Sequence, residues 1–400
     1  MNPPTRPSFR IVGVVIVLIV LGALFYFKAK QNYQHQDYIN SNFFSFWLAG
    51  RMVWTGQSPY NTSQWLAGFD AFGATYRPSK ILQYPLPLMF LMAPLGLLSV
   101  GNAYFVWQLV CLAIMAAIVY ALIRNEQGRG YLFLPLTASF LFFGPFYLSL
   151  QVGSVGIISL GAIAVTILIH EKLPFLAGVA LSLTLLKPPQ ALPLLFLAGI
   201  WSLSKKDWKL ISGILTGGLL LFLIWISKDP LGLVKFRSSS DLLLAHTLGV
   251  QSNVFSFSYF ACRQNLSCMW VIGSTTTLIV LMLGVWYLIT NRIQLNTWEA
   301  FNFIIPVGFF SAVYLWSYDQ LLYIIPIVWI AAHLLRRTHS YIAVILFLII
   351  VDVVSFIALA VQATSHQDLL SITNTVLILV LCLWLVHAQY RTSSANTTSD

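Results

Sequence analysis

"YLFLPLTASFLFFGPFYLSLQVGSVGIISLGAIAVTILI" occupies residues 131–169 and contains no Asp, Glu, Lys or Arg. No water-soluble fold needs such a stretch, because its surface must be hydrated. A bilayer does need it, since a hydrocarbon core about 30 Å thick takes about 20 apolar residues per helix. The rest of the chain continues the pattern. Of its 400 residues 58% are hydrophobic and 8% charged, where soluble domains carry about 25% charged residues. The chain reads as an all-α polytopic membrane protein.

Apolar runs predict spans at 11–27, 102–123, 131–149, 154–169, 174–186, 189–204, 210–227, 269–290, 298–316, 319–335, 341–363 and 369–388. That is a bundle of about 10–12 helices, several of them too short to cross unbroken. The N-terminus, with Arg6 and Arg10, lacks a small-residue cleavage site, so 11–27 is expected as an uncleaved first span. Lysine and arginine then set the orientation. Arg124, Arg129, Lys172, "SKKDWK" (204–209), Arg292 and "RRTHS" (336–340) fall inside, with a polar cytoplasmic tail over 391–400. Residues 1–390 form one integral-membrane domain with two long outer loops, 28–85 and 228–268. The apolar segment 84–99 is short and holds Pro85, Pro87 and Pro94, so it is expected as a re-entrant or interfacial helix.

The net charge of +10 marks cytoplasmic loops rather than a nucleic-acid surface, since no basic run is interleaved with aromatics. The four cysteines and seven histidines make no zinc pattern. Cys262 and Cys268 share one loop and are able to pair if it faces an oxidising compartment.

The first outer loop opens "DYINSNFFSFWLAGRMVWTGQSPY" (37–60). At 100° per residue Phe43, Phe46, Trp47, Gly50, Val53 and Trp54 share one helix face, with Ser41 and Ser45 opposite. This predicts an amphipathic helix lying flat in the headgroup zone. Asp37 stands at its head. A lone acid there is ordinarily a partner for the helix dipole, but other polar residues gather on the same side. "LQVGS" (150–154) is an outer turn, and "LLKPPQ" (185–190) interrupts an apolar segment with Lys187. A charge there is expensive unless paired, and the two prolines break the helix. "GVQSNVFSF" (249–257) and "YLWSYDQLLY" (314–323) also face outward. Asp37, Gln151, Lys187, Gln251, Asn253 and Asp319 therefore converge on one membrane face, with Ser317 and Tyr318 beside Asp319 between two spans. Asp352 lies within the span 341–363 with no partner evident from the sequence.

"GQSPY" (56–60), "QYPLP" (83–87), "QVGSVGI" (151–157), "LKPP" (186–189) and "WSYDQ" (316–320), following an acid after the first span, resemble glycosyltransferase family 87 in order and placement. The likeness runs over roughly residues 10–335. It implies a GT-C-like helical bundle in the cell membrane. It also implies inverting transfer of a sugar, with mannose expected, from a polyprenyl-phosphate donor. The acceptor would be a lipid-linked or envelope glycan outside the cytoplasm. Asp37 would be the general base. Lys187 is the first choice to stabilise the leaving phosphate, with Arg51, Arg77 and Lys80 behind it. Tyr60 and Tyr84, in the matching motifs, would line the substrate site. Nothing in the residues requires a cofactor or metal, although Asp37 and Asp319 could in principle share an ion.

Two other readings stand beside this one. A transporter or lipid flippase would use Lys187 and Asp352 along its pathway. A non-catalytic assembly factor of an envelope pathway would keep the same residues unused.

Overall fold

The computed structural model describes residues 37–77, 79–125, 130–237 and 250–397. The expected first span lies outside them. Every regular element among the described residues is helical.

The segment after Asp37, expected as an outer loop, builds α1 (Asn42–Trp54), α2 (Thr62–Ala71) and α3 (Leu86–Met92), the last running into a 3₁₀ turn, Ala93–Leu97. Together α3 and its turn rise about 20 Å, too little for a hydrocarbon core of about 30 Å. They pack against α1, in keeping with an interfacial or re-entrant segment. The approach is close because both helices put glycine there. A Cβ on Gly50 would meet Met92 O at 2.7 Å, and one on Gly96 would meet Arg51 N at 2.6 Å.

The bundle follows. It comprises α4 (Val100–Asn125), α5 (Phe133–Phe142), α6 (Gly144–Val152), α7 (Gly156–Ile169), α8 (Pro174–Ser182), α9 (Pro188–Lys205) and α10 (Trp208–Lys228). After a helical stretch at 230–237 come α11 (Val254–Ala261), α12 (Leu266–Thr290), α13 (Thr297–Phe310), α14 (Ile324–Thr338), α15 (Tyr341–Ser365) and α16 (Ile372–Thr397). Among the described residues six helical segments are long and apolar enough to cross a membrane, and α5 with α6 make a seventh candidate bent by 62°. The other apolar runs become shorter or broken helices, among them 156–169 and 174–186. The backbone of α16 continues helically through most of the expected polar tail.

Burial sorts the helices. The span Ser317–Thr338 has 94% of its apolar window buried and is the central strut, whereas Leu266–Thr290 has 17% and turns its side chains outward. Outward-facing leucine and valine need no cover in a bilayer, since lipid tails are as apolar as they are. Local chemistry fixes the ends. α13 starts with a capping box, Asn296 Oδ1 accepting the Glu299 N–H at 2.9 Å and Glu299 Oε2 accepting the Asn296 N–H at 3.0 Å.

The amphipathic reading of α1 is corrected by the structure. Phe43, Phe44, Ser45, Phe46, Trp47, Leu48, Ala49, Gly50 and Met52 are all buried. α2 and its C-terminal turn cover the face assigned to solvent, with Phe69 and Phe72 packing edge-on to Phe44 at 5.1 and 5.8 Å. Trp54, placed on the apolar face by periodicity, is 60% exposed.

Candidate active site

Lys187 sits in the break between two helices. A 3₁₀ turn, Leu183–Leu186, precedes it, and α9 begins at Pro188. Prolines in a first helical turn forfeit no helical hydrogen bond. Asp319 lies in a second 3₁₀ turn, Ser317–Tyr323, at the head of the central span. α7 packs against both turns, and Gln190 Nε2 donates to Ser159 Oγ at 3.0 Å, tying α9 to α7. The result is an ion pair between Lys187 Nζ and Asp319 Oδ1. The two residues are 4% and 1% exposed. A second aspartate oxygen, Oδ2, accepts the Trp316 N–H at 3.1 Å. The ammonium also lies 4.8 Å from the centre of the Tyr318 ring. Lys187 is therefore a cation already matched by a carboxylate, not a free charge.

Tyrosines surround this pair. The Tyr84 ring packs edge-on to Phe46 at 4.7 Å. Trp316 stacks on Tyr318 at 6.3 Å and packs edge-on to Tyr314 at 6.4 Å. Burial pushes the Tyr84 and Tyr314 phenols above their ordinary value, and the Asp319 charge adds to both shifts. Tyr76 is 47% exposed, and partial desolvation raises its phenol as well. These phenols are neutral hydrogen-bond donors at physiological pH, suited to phosphate oxygens or sugar hydroxyls.

The Asp37–Asn40 turn reaches the same face. Asn40 Oδ1 accepts from the Thr75 N–H at 2.9 Å and the Tyr76 N–H at 3.0 Å. The Tyr38 ring lies 6.0 Å from Tyr104, whose hydroxyl donates to Gln151 O at 2.7 Å. The Gln151 turn closes on Gly153 at φ +66, where a Cβ would stand 2.4 Å from Phe43 Cβ. Glycine alone fits both demands. The carboxylate of Asp37 lies outside the described side chains.

The remaining candidates divide. Gln251 and Asn253 belong to a hydrogen-bonded scaffold beside the site. Asn253 Nδ2 donates to Gln251 Oε1 at 2.9 Å and Val313 O at 2.7 Å, and Gln251 Oε1 accepts the Leu315 N–H at 3.0 Å. Ser317 Oγ donates to Gln362 Oε1 at 3.2 Å. Tyr60 props Tyr84 from behind, its hydroxyl donating to Tyr84 O at 2.6 Å and its ring stacking on Trp225 at 5.9 Å. Three cations lie elsewhere. Arg51 donates to Gly96 O at 3.3 Å and lines an open cleft with Thr55, Gln57 and Gln64. Arg77 pairs with Asp70 at the surface, and Lys80 is exposed. Asp352 does have a partner, accepting from Ser139 Oγ at 2.8 Å beside the α5–α6 bend. Cys262 and Cys268 form a disulfide.

Sequence reasoning missed Tyr76, Tyr314, Asn40 and Asp368. Asn40 and Tyr76 meet across 36 positions, and Tyr314 packs on Trp316, an aromatic neighbour that marks no site by itself. Asp368 carried a local signal, an acid three residues before Ser371 at the start of an apolar run.

A sequence profile of glycosyltransferase family 87 matches residues 82–317, more than half of the chain. The match includes Tyr84, Gln151, Lys187, Gln251, Asn253 and Ser317, while the Asp37 turn precedes it and Asp319 falls just beyond. No curated protein and no solved structure matches the chain. With its multi-pass helical architecture and its polar cluster at the head of the central span, the chain belongs to glycosyltransferase family 87, a family of membrane glycosyltransferases.

Proposed function

We propose that this glycosyltransferase moves mannose from a polyprenyl-phosphate donor to a hydroxyl of a lipid-linked or envelope glycan, on the outer face of the cell membrane. The supporting observation is the buried Lys187–Asp319 pair, ringed by neutral phenols at the end of the central span. A site at a span end meets a donor whose lipid tail stays in the bilayer. The outward orientation is supported by the lysines and arginines at the opposite ends of the helices and by the Cys262–Cys268 disulfide in the second loop.

In this mechanism Asp37 takes the proton from the acceptor hydroxyl as its oxygen attacks the anomeric carbon. The bond from that carbon to the phosphate oxygen breaks on the opposite face, which inverts the centre. Negative charge returns to the lipid phosphate. Lys187 shares its ammonium between Asp319 and that phosphate, and Tyr84 and Tyr314 add O–H donors. Desolvation strengthens each of these interactions.

The test is sugar transfer by the purified protein in lipid, with labelled polyprenyl-phosphate mannose, polyprenyl-phosphate glucose and nucleotide sugars run in parallel against a membrane glycolipid extract. Transfer from polyprenyl-phosphate mannose is expected. Transfer from a nucleotide sugar alone would overturn the donor assignment, and preference for the glucose donor would overturn the sugar.

A further inference from the structure

Asp368 is 1% exposed and lies in the linker between α15 and α16, outside every motif used above. Its carboxylate gathers three segments. Oδ2 accepts the Ser317 N–H, two residues before Asp319, and Oδ1 accepts the Ser371 hydroxyl at 2.6 Å. Its own N–H donates to Val250 O at 2.7 Å. The same turn is held from its far side by Gln320. Gln320 Nε2 donates to Ser252 Oγ at 3.0 Å and Ser371 O at 2.8 Å, while its Oε1 accepts from Asn374 Nδ2 at 3.0 Å. Asp319 therefore stands on a turn braced by one carboxylate and one amide. A bond from an amide to a charged carboxylate is roughly twice as strong as a neutral one.

We propose that Asp368 is a positioning residue for sugar transfer: its ionised carboxylate, accepting Ser317 N–H and Ser371 O–H together, sets the turn that carries Asp319 and, through it, the Lys187 ammonium. Proton uptake by Asp368 weakens the Ser317 bond and lets the pair shift. This rests on the reading of Lys187 and Asp319 as the active site.

Among the described residues, the titratable groups on the elements packed around Asp368 are few. The 313–323 segment brings Tyr314, Tyr318, Tyr323 and Asp319, the last with its partner Lys187. The linker itself brings the exposed His366. Residues 250–253 and 369–375 bring only uncharged groups. Burial pushes the Asp368 carboxyl up to about 7, opposed by its hydrogen bonds from Ser371 and Ser317 and reinforced by the Asp319 charge. The folded chain thus holds this proton more tightly than the unfolded chain does. Between the ordinary value of 3.8 and about 7, stability falls as pH rises. Turnover runs the other way, because only the ionised form fixes the turn.

The experiment compares wild type and Asp368→Asn for turnover, KM and melting temperature from pH 6 to 8. Wild-type kcat is expected to rise about tenfold across this range, as the ionised fraction of a group titrating at its centre does, while the melting temperature falls. Asp368→Asn is expected to hold kcat flat near the wild-type value at pH 6, with KM changed less than about twofold. A merely structural Asp368 would lower stability in the variant and leave the shape of the pH profile unchanged, which would overturn the proposal. Amide exchange of the 313–320 peptide, corrected for intrinsic rate, gives a readout independent of transfer. Greater protection at pH 8 than at pH 6 in the wild type, lost in Asp368→Asn, supports the proposal even if no donor is turned over. Equal protection in both proteins at both pH values overturns it. A wild type inactive with every donor would instead count against the reading of the active site.

Discussion

At the scale of single residues, the molecule's main expense is the Lys187–Asp319 pair. Two charges have been taken out of water, and each is tolerable only because the other is present. Lys187→Met leaves Asp319 buried and unmatched, and is predicted to cost roughly 3–5 kcal/mol, read as a lowered unfolding midpoint. Lys187→Met combined with Asp319→Leu removes both charges and is predicted to regain most of that stability while transfer stays absent. A double-mutant cycle with no coupling between the two positions would contradict the burial assigned to them. Lys187 was legible in the sequence, because a lysine followed by two prolines inside an apolar segment has few explanations. Its partner was less legible. Asp319 lies 132 positions away, and helix periodicity says nothing about contacts at that range.

At the scale of elements, the site depends on how tightly the first loop is folded. α1 crosses α3 and its 3₁₀ turn backbone to backbone at Gly50 and Gly96. Gly96→Val places side-chain atoms against the Arg51 backbone, where no flexible group is able to give way. Such overpacking is predicted to cost about 1–3 kcal/mol. Limited proteolysis of the loop checks it: faster cleavage between residues 55 and 85 is the expected result, and an unchanged pattern would contradict the crossing. The same element shows where periodicity stops being informative. A stripe of aromatics told α1 which face to bury, but Phe44 and Ser45 on the other side are buried too, Phe44 because α2 folds back over it. Breaks were easier to read than faces. "LKPP", the glycine after "LQV" and the prolines of 84–99 all mark changes of direction that the structure contains, since proline and glycine act on the backbone wherever they sit.

At the scale of the whole molecule, charge and composition carried most of the fold. An all-helical, multi-pass chain followed from the near absence of charge, and most of the apolar runs reappear as helices, long or broken. The proposed sidedness of the site rests on the distribution of basic residues. In the proposed orientation the basic cluster Lys205, Lys206 and Lys209, at and beyond the C-terminal end of α9, lies on the cytoplasmic side, away from Lys187 at the head of that helix. Cysteine placed at Arg77 is therefore predicted to react with a membrane-impermeant maleimide in intact cells, and cysteine at Lys206 only after permeabilisation. The reverse pattern would put the site on the cytoplasmic side. Beyond sidedness, the central claim is that this face performs sugar transfer with Asp37 as base. The most direct measurement is the rate of transfer from polyprenyl-phosphate mannose by purified wild type and by Asp37→Asn, with equal melting temperatures confirming that both are folded. The account predicts transfer by the wild type and a fall of at least about a hundredfold, the scale of a lost general base, in the variant. Transfer undiminished in Asp37→Asn would contradict it.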